Sequence, residues 1–403
     1  MRICLLVDCF LPVRKSSCQL IHDLAIELRQ LGHQVVIATL AEDLQEPLAV
    51  TSETGITVAR VRTRGIKNVS RPVRAWREAQ ISRLMWSKAR GFFEANPCDL
   101  LVFYSPSIFF GALVRKLKRL WGCPAYLVLR DIFPQWALEA GLLRKGPVYS
   151  FFRYYERRQY EAADIIGVES TGSLQYFEKH FPGRFRLEVL PNWSALREVP
   201  RRSGVLRARL GLHGKVIFVY GGNIGVAQDP DNLLRLAQRM LPETQVAFVL
   251  IGEGSEVHRL QAAIRDQGLT NMYLLGAVEN QEYLQLIADA DVGLLSLERN
   301  LTSHNYPGKL LGYAAAALPI LASINPPNQL HHLLHESGAG LSCDNGDDDA
   351  FLAAALRLAR DPGLRRTMSA ASRSLLETHF SARAAAASIL SAFQALARRE
   401  QAG

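Results

Sequence analysis

The sequence predicts an α/β chain of two Rossmann-like halves, and three observations carry that reading. The chain opens with a buried-strand pattern, "RICLLVD", followed by helical spacing in "CQLIHDLAIELRQLG" and a second strand, "HQVVIAT", which is a βαβ unit. The same alternation restarts at "KVIFVYGGNIG", after the stretch "NWSALREVPRRSG" at 192–204, which reads as a linker. In the second half, strand patterns repeatedly end in glycine-bearing loops. Ligands of doubly wound sheets bind outside the carboxyl ends of the strands. The loops after Tyr220, Ile251, Leu275 and Leu297 are therefore expected to face one common cleft.

The elements follow in order. After the first strand comes the loop "CFLPVRKSS", then the helix stopped by Gly32. "CDLLVFYSP" and "PAYLVLRDIFP" are strand-to-loop edges, and "ADIIGVES" and "FRLEVLP" close the half. In the second half "DNLLRLAQRML" is a helix, "QVAFVLIGEG" a strand with a glycine loop, and "NMYLLGAV" a third strand. "QEYLQLIADA" is a helix and "DVGLLSL" a fourth strand. "TSHNYPGKLLGYAAAALPILAS" then supplies a loop, a helix with Gly312 in its middle, and a strand. The expected domains are 1–195 and 205–380, with a terminal alanine-rich helix over 381–403.

Composition narrows the class. With 403 residues and 48% hydrophobic content, each of two or three domains can hold a full core. The six cysteines are scattered, without metal-ligand spacing or a disulfide framework, which fits a reducing cytoplasm. The N-terminus has one basic residue and an apolar run broken by Asp8, unlike a signal peptide. No uncharged apolar run reaches the roughly 18 residues that a membrane span needs. The net charge of +9 is localised: between Arg60 and Arg90 ten Lys or Arg stand against one acid, Glu78, and the rest of the chain balances. That pattern argues against a general nucleic-acid binder.

The basic segment has a further reading. Trp76, Trp86, Phe92 and Phe93 lie within it or beside it, among Arg71, Arg74, Arg77 and Arg83. Ile81, Leu84, Met85, Ala89 and Phe92 fall near one helical face. A basic, aromatic-bearing amphipathic helix lies in the interface of an anionic membrane. The alternative is a solvated helix whose apolar face packs on its own domain.

Candidate chemistry lies at strand ends. Glycine in "GGNIG" and "GEGSE" lets backbone N–H groups approach a ligand, although tight turns need glycine for nothing more. In "HNYPGK", Pro307 suits the first position of a helix, with the N–H groups of Gly308 and Lys309 leading it and the lysine adding a full charge: an anion site. In the first half, Asp131 follows a buried strand in "RDIFPQ". Its carboxylate suits a general base for an acceptor hydroxyl, or else an N-cap or a salt bridge with Arg130. His22 and His33 lie on helix and strand patterns and read as structural. No carboxylate pair supports double displacement. No Asp-x-Asp metal motif appears, and "DNGDDD" reads as an exposed loop.

The order "YGGNIG", "LIGEG", "LGAV", "ADVGLLSL", "PGKLLGYAAAALP", with "HDLAIELRQLGHQVVIAT", "RDIFPQWALEAGLL", "ADIIGVES" and "LPNW" before it, resembles the retaining GT-B glycosyltransferases of family 4 over nearly the whole chain. The nearest resemblance is to O-antigen and capsule enzymes, including N-acetyl-L-fucosaminyltransferases. It implies two Rossmann-like domains facing a central cleft and a C-terminal helix returning to the N-terminal domain. It also implies a nucleotide-sugar donor, usually carrying UDP, on the C-terminal half, and an acceptor on the N-terminal half. No metal or other cofactor is implied; attack comes from the front face with retention, the leaving β-phosphate helping to remove the acceptor proton. The donor set carried onto this chain is Gly222, Asn223, Gln228, Gly252, Glu253, Gly254, Val278, His304, Asn305, Gly308 and Lys309.

Departures from that pattern matter. Asn223 and Gln228 stand where many members carry Arg and Lys on the donor diphosphate, so Lys309 is the main cation left. Gly312 stands where many carry a ribose-binding Glu, and His304 replaces the family's other Glu. Either Gly312 opens the ribose pocket, or it packs closely against a neighbouring strand. Ala314 to Ala317 are strong helix formers that offset the glycine, which costs roughly 1 kcal/mol against alanine in a helix. Ser16 and Ser17 replace a glycine pair that relatives carry near the sugar diphosphate, so the loop from Pro12 to Ser17 is expected to differ in shape; Arg130 is the further candidate on the acceptor side.

The resemblance implies a glycosyltransferase that moves an N-acetylated or 6-deoxy amino sugar from a UDP-sugar to a polyprenyl-diphosphate-linked glycan. It would work in O-antigen or capsule assembly, peripheral on the cytoplasmic face of the inner membrane. Two alternatives keep the fold: a UDP-sugar 2-epimerase, which needs no basic membrane face, and a degenerate, non-catalytic scaffold.

Overall fold

The computed structural model describes residues 1–13, 15–65, 69–139, 141–301, 306–326 and 328–402. His304 and Asn305 lie outside the described residues, as does the side chain of Arg71. The chain divides into two compact units, Met1–Ala195 with Ala382–Gly403, and Leu196–Ser381.

The first unit runs β1 (Arg2–Leu6), α1 (Ser16–Gln30), β2 (Gln34–Ala41), β3 (Leu48–Glu53), β4 (Ile56–Arg62), α2 (Arg71–Ala79), α3 (Ile81–Ala95), β5 (Leu100–Tyr104), α4 (Gly111–Trp121), β6 (Ala125–Leu129), α5 (Gln135–Glu139), α6 (Pro147–Tyr160), β7 (Ile165–Val168), α7 (Thr171–His180) and β8 (Leu187–Val189). Its sheet order is β3-β4-β2-β1-β5-β6-β7-β8, with only β3 antiparallel to its neighbour. The central strands are unbroken apolar runs because both sheet faces are covered.

The second unit follows with α8 (Val205–Leu210), β9 (Val216–Gly221), α9 (Pro230–Arg239), β10 (Val246–Ile251), α10 (Val257–Asp266), β11 (Met272–Leu275), α11 (Asn280–Ala288), β12 (Val292–Ser296), α12 (Gly308–Ala315), β13 (Ile320–Ile324), α13 (Gln329–Ser337), β14 (Gly340–Asp344), α14 (Asp348–Arg360) and α15 (Pro362–His379). Its sheet, β11-β10-β9-β12-β13-β14, is parallel throughout. Buried Asp289 accepts from the N–H groups of Gly204 and Leu206, fixing the start of α8.

The last helix, α16 (Ala382–Ala402), belongs to the first unit and packs along α1. Ala382, Ala385, Ala386 and Ile389 join Ile21, Leu24 and Leu28 in one core on that sheet face. Small alanines let the two helices approach closely. The Trp193 indole donates to the Leu20 carbonyl at 2.8 Å, and Asp23 accepts from the Ala195 N–H at 3.2 Å, so 192–195 is tied to α1 rather than free.

Three sequence expectations need correction. Ser16 and Ser17 form the first turn of α1, with Lys15 as its N-cap, so the loop before it is shorter than the sequence suggested. Pro307 is the N-cap of α12 rather than its first residue, and the helix ends at Ala315 with Ala317 at φ 51°, so only two of the four alanines extend it. Among the described residues, the 60–90 segment is the end of β4 followed by two helices rather than one amphipathic helix. Ile81, Met85, Ala89 and Phe93 of α3 are buried in the unit's own core, with Leu84, Trp86 and Phe92 packed at its border. Its cations are partly engaged: Arg60 with Glu53, Arg74 with Glu78, Arg90 with Glu94, and Arg77 donating to the Gly65 carbonyl. Arg83 stays exposed, and Trp76 is 61% exposed on α2.

Candidate functional site

At the carboxyl edge of the second sheet, the loops after β9 and β10 lie backbone to backbone. Gly222 N–H donates to the Ile251 carbonyl at 2.8 Å, Ile224 N–H to the Glu253 carbonyl at 2.8 Å, and Glu256 N–H to the Ile224 carbonyl at 3.1 Å. A Cβ on Gly252 would stand 1.9 Å from the Gly222 carbonyl oxygen, and one on Gly254 2.1 Å from that of Ile224. Those two glycines are thus required by the approach of one loop to the other.

The two amides at the positions of missing cations hold each other. Asn223 Nδ2 donates to Gln228 Oε1 at 2.7 Å, and the Gly225 N–H reaches the same oxygen at 3.2 Å. The Gln228 carbonyl oxygen is spent on shaping the loop. Glu253 is exposed, and Val278, three residues past β11, packs against the sheet's core.

Lys309, in the first turn of α12, supplies the charge. The N–H groups opening this helix have no partners within it, and its dipole favours an anion there. Lys309 Nζ lies 4.7 Å from the centre of the Tyr220 ring, and its chain passes beside Gly222. No acid forms an ion pair with it among the described residues, and burial pushes its pKa down to about 8.

A tyrosine that the sequence reading passed over completes the arrangement. Tyr283 of α11 sets its hydroxyl against Gly221 and Gly312: a Cβ at Gly221 would be 2.1 Å from that oxygen, and one at Gly312 3.9 Å. Gly312 therefore faces a helix tyrosine, not a strand, and has room for one methyl but little more. Tyr283 sits on the apolar stripe of its helix, so nothing in the sequence marked it. Buried Tyr313 anchors α12 by accepting from the Gly221 N–H at 3.0 Å and donating to the Leu294 carbonyl at 2.9 Å.

The first unit carries its own site at the same edge of its sheet. A cavity of about 750 Å³ is lined by the loop after β1 (Asp8 to Val13, and Lys15), by Arg60, Arg74 and Glu78, and by Phe109, Asp131, Phe133 and Trp136. Ser16 and Ser17 are not on its wall. Asp131 is exposed on the cavity side yet crowded by protein, and that burial raises its carboxyl above the usual range against the opposing Arg130 charge. It is neither an N-cap of α5 nor in an ion pair, among the described residues, with Arg130. Arg130 turns away, donating to the Leu190 and Pro191 carbonyls and lying 4.9 Å from the centre of the Trp193 ring. Buried Glu169, at the end of β7, accepts from Asn192 Nδ2. Burial pushes it up to about 7, with Arg130 opposing and Asp131 adding to the rise. Its position after "ADIIGV" parallels that of Asp131 after "AYLVLR", which was the available signal.

Comparison with known proteins agrees with this architecture. Residues 19–193 match the glycosyl transferase 4-like domain and residues 215–361 the glycosyl transferases group 1 domain. These two domains place the chain among the GT-B glycosyltransferases. It is 26% identical over 229 residues to a protein of Pseudomonas aeruginosa named probable glycosyltransferase WbjE, covering 56% of this chain and 57% of that one. It is 25% identical over 225 residues to an Escherichia coli K12 protein named as the colanic acid biosynthesis glycosyl transferase WcaI, covering 54% and 55%. The chain thus spans a little over half the length of the curated relatives it matches. Among solved structures, sucrose-phosphate synthase of Thermosynechococcus elongatus superposes with a TM-score of 0.70 at 15% identity, covering 99% of both chains. Anabaena HepE in complex with UDP gives 0.67 at 14%, covering 98% of this chain and 100% of that one. These structural likenesses establish the GT-B fold.

Proposed function

We propose that this chain transfers a sugar, an N-acetylated or 6-deoxy amino sugar, from a UDP-sugar to a polyprenyl-diphosphate-linked glycan, with retention, in O-antigen or capsule assembly. The observation that carries the reading is Lys309: a half-buried cation, without an acidic partner among the described residues, at the head of a helix, beside a glycine loop, at the carboxyl edge of the sheet. A charge kept there at the expense of its own solvation suits the diphosphate that leaves when the glycosidic bond breaks. HepE was crystallised with UDP, and a similar Escherichia coli trehalose-6-phosphate protein with UDP-2-fluoro glucose, which supports UDP as the nucleotide. WcaI's name points to a polysaccharide.

In this reading the Gly308 and Lys309 N–H groups and the Lys309 ammonium hold the diphosphate. Asp131, in the cavity of the first unit, takes the acceptor hydroxyl's proton, and the departing β-phosphate helps by accepting a hydrogen bond from that hydroxyl. The acceptor lies at the inner face of the cytoplasmic membrane, where the enzyme is peripheral. No metal enters the reading.

The test is a melting-temperature screen with UDP, GDP, ADP and UDP-N-acetylhexosamines including 6-deoxy forms, followed by transfer to a polyprenyl-diphosphate glycan. A saturating true donor raises the melting temperature by mass action. No shift with any nucleotide would leave a non-catalytic scaffold. Conversion of a UDP-sugar to its 2-epimer without acceptor would make the enzyme an epimerase instead.

A further inference from the structure

Four exposed apolar residues of the first unit lie together on α6 and in the turn before it. Leu142, Val148, Phe151 and Tyr154 are 63%, 58%, 38% and 56% exposed. Residues 148, 151 and 154 are three apart on α6 and share its outer side, with Leu142 in the turn just before it. Interspersed are Arg144, Lys145, Arg157 and Arg158, all exposed and none in an ion pair among the described residues. The single acid from 141 to 160, Glu156, is buried and held by Arg153 and Tyr160. Lys145, Arg157 and Arg158 also border a surface hollow of about 640 Å³, together with Glu161, which pairs with Arg184.

This face is continuous with the cavity already described. Phe151 contacts Phe152 at 5.3 Å between ring centres, Phe152 contacts Phe133 at 4.9 Å, and Phe133 contacts Trp136 at 6.1 Å. Phe133 and Trp136 line the cavity, and Trp136 is itself 45% exposed. One aromatic cluster therefore reaches from the cavity wall to the solvent face of α6.

We infer that the outer side of α6 and the turn before it form the docking surface for an anionic lipid bilayer. The apolar side chains enter the interface and the four exposed cations, Arg158 among them at 5.7 Å over the Tyr154 ring, meet lipid phosphates; the inference rests on the lipid-linked acceptor proposed above. Charge is the reason for choosing a bilayer. Cations predominate around the apolar residues, the one exposed acid at the hollow, Glu161, being paired with Arg184, and an anionic leaflet attracts nearby Lys and Arg. The 60–90 segment serves less well, because the apolar side of α3 is used by the core and several of its cations are paired.

The test is co-sedimentation of the full chain at low salt with phosphatidylglycerol–phosphatidylcholine vesicles and with phosphatidylcholine alone. The variants are Leu142→Glu/Val148→Glu/Tyr154→Glu, Arg144→Gln/Lys145→Gln/Arg157→Gln/Arg158→Gln and, for comparison, Arg74→Gln/Arg77→Gln/Arg83→Gln. The expected result is wild-type binding to anionic vesicles only, a loss of at least about tenfold in partitioning for both α6 variants, and retention in the α2–α3 variant. The inference fails if wild type does not sediment, if the α6 variants bind like wild type, or if only the α2–α3 variant loses binding. It also fails if light scattering shows a wild-type dimer that the α6 variants dissociate, since the face would then join two copies. UDP-induced melting shifts are measured on every protein. A retained shift shows an intact fold, and vesicle binding without any nucleotide shift would refute the donor reading while leaving this surface in place.

Discussion

The ammonium of Lys309 stands 4.7 Å from the centre of the Tyr220 ring and, among the described residues, has no acidic partner. The ring face offers some attraction, but burial dominates and lowers the lysine's pKa to about 8. A bound diphosphate reverses that balance by favouring the charged form. UDP affinity is therefore expected to fall as pH rises from 7 to 9, because binding increasingly has to recruit a proton. Lys309→Arg should flatten the profile, since guanidinium does not titrate there. Lys309→Ala should flatten it at weak affinity and reduce kcat/KM by roughly 10²-fold, about 3 kcal/mol. Calorimetric titration across this range is the check; a flat wild-type profile would remove the lysine from the diphosphate site. Without ligand the sign is opposite. The unfolded lysine holds its proton more firmly than the folded one, so this group's contribution to stability rises with pH above about 8.

Asp131→Asn should separate the two halves of the reaction. The residue lines the first unit's cavity, while the nucleotide is assigned to the second unit. UDP-induced stabilisation should be unchanged, and transfer should drop by about 10²-fold or more, the usual contribution of a positioned base. Because burial raises its carboxyl above the usual range, the acidic limb of the wild-type rate profile should sit above an ordinary aspartate and vanish in the variant. Equal losses of UDP binding and turnover would make Asp131 structural.

The fold was legible because its signals are local. Apolar runs such as "VAFVLI" and helical stripes such as "DNLLRLAQRML" state their own geometry, and both sheets follow from their alternation. Lys309 was legible too, since a Pro-Gly-Lys helix start is a short-range pattern. The partners that give these residues their character were not. Tyr220 meets Lys309, and Tyr283 meets Gly221 and Gly312, only through packing of β9, α11 and α12, and Tyr283 has an ordinary place on an apolar stripe. Which apolar face turns inward was equally hidden. The stripe on α3 and the row on α6 look alike in sequence, but the first fills a core and the second faces solvent.

Two glycine substitutions should move stability in opposite directions. Gly252→Ala drives a methyl to within 1.9 Å of the Gly222 carbonyl oxygen, where backbone must shift. We expect a loss of about 2 kcal/mol or more, with UDP binding weakened as the two loops part. At Gly312→Ala the nearest atoms are 3.8 Å away, on Tyr283, and a helix interior prefers alanine. That variant should gain up to about 1 kcal/mol with UDP binding intact. Urea denaturation with a UDP titration checks both; destabilisation by Gly312→Ala would mean that the space beside Tyr283 is needed open.

The end of α12 offers the last test. Its C-terminal hydrogen bonds run from the Ala317 N–H to the Ala314 carbonyl at 3.1 Å and from the Leu318 N–H to the Tyr313 carbonyl at 2.9 Å. This is the Schellman arrangement, which places one residue in the left-handed region just past the helix, a position glycine usually takes. Here it is Ala317, at φ 51°. For a residue with a Cβ that conformation costs roughly 1–2 kcal/mol, part of which glycine returns through its larger unfolded-state entropy. Ala317→Gly should therefore stabilise the second unit by about 1 kcal/mol, or about 2–4 °C in Tm for a domain of this size. Lys309 lies at the other end of the helix, so UDP affinity should not change. Differential scanning calorimetry with and without UDP measures both quantities, and a lower Tm for the glycine variant would show that the Ala317 methyl contributes more by packing than its backbone loses by strain.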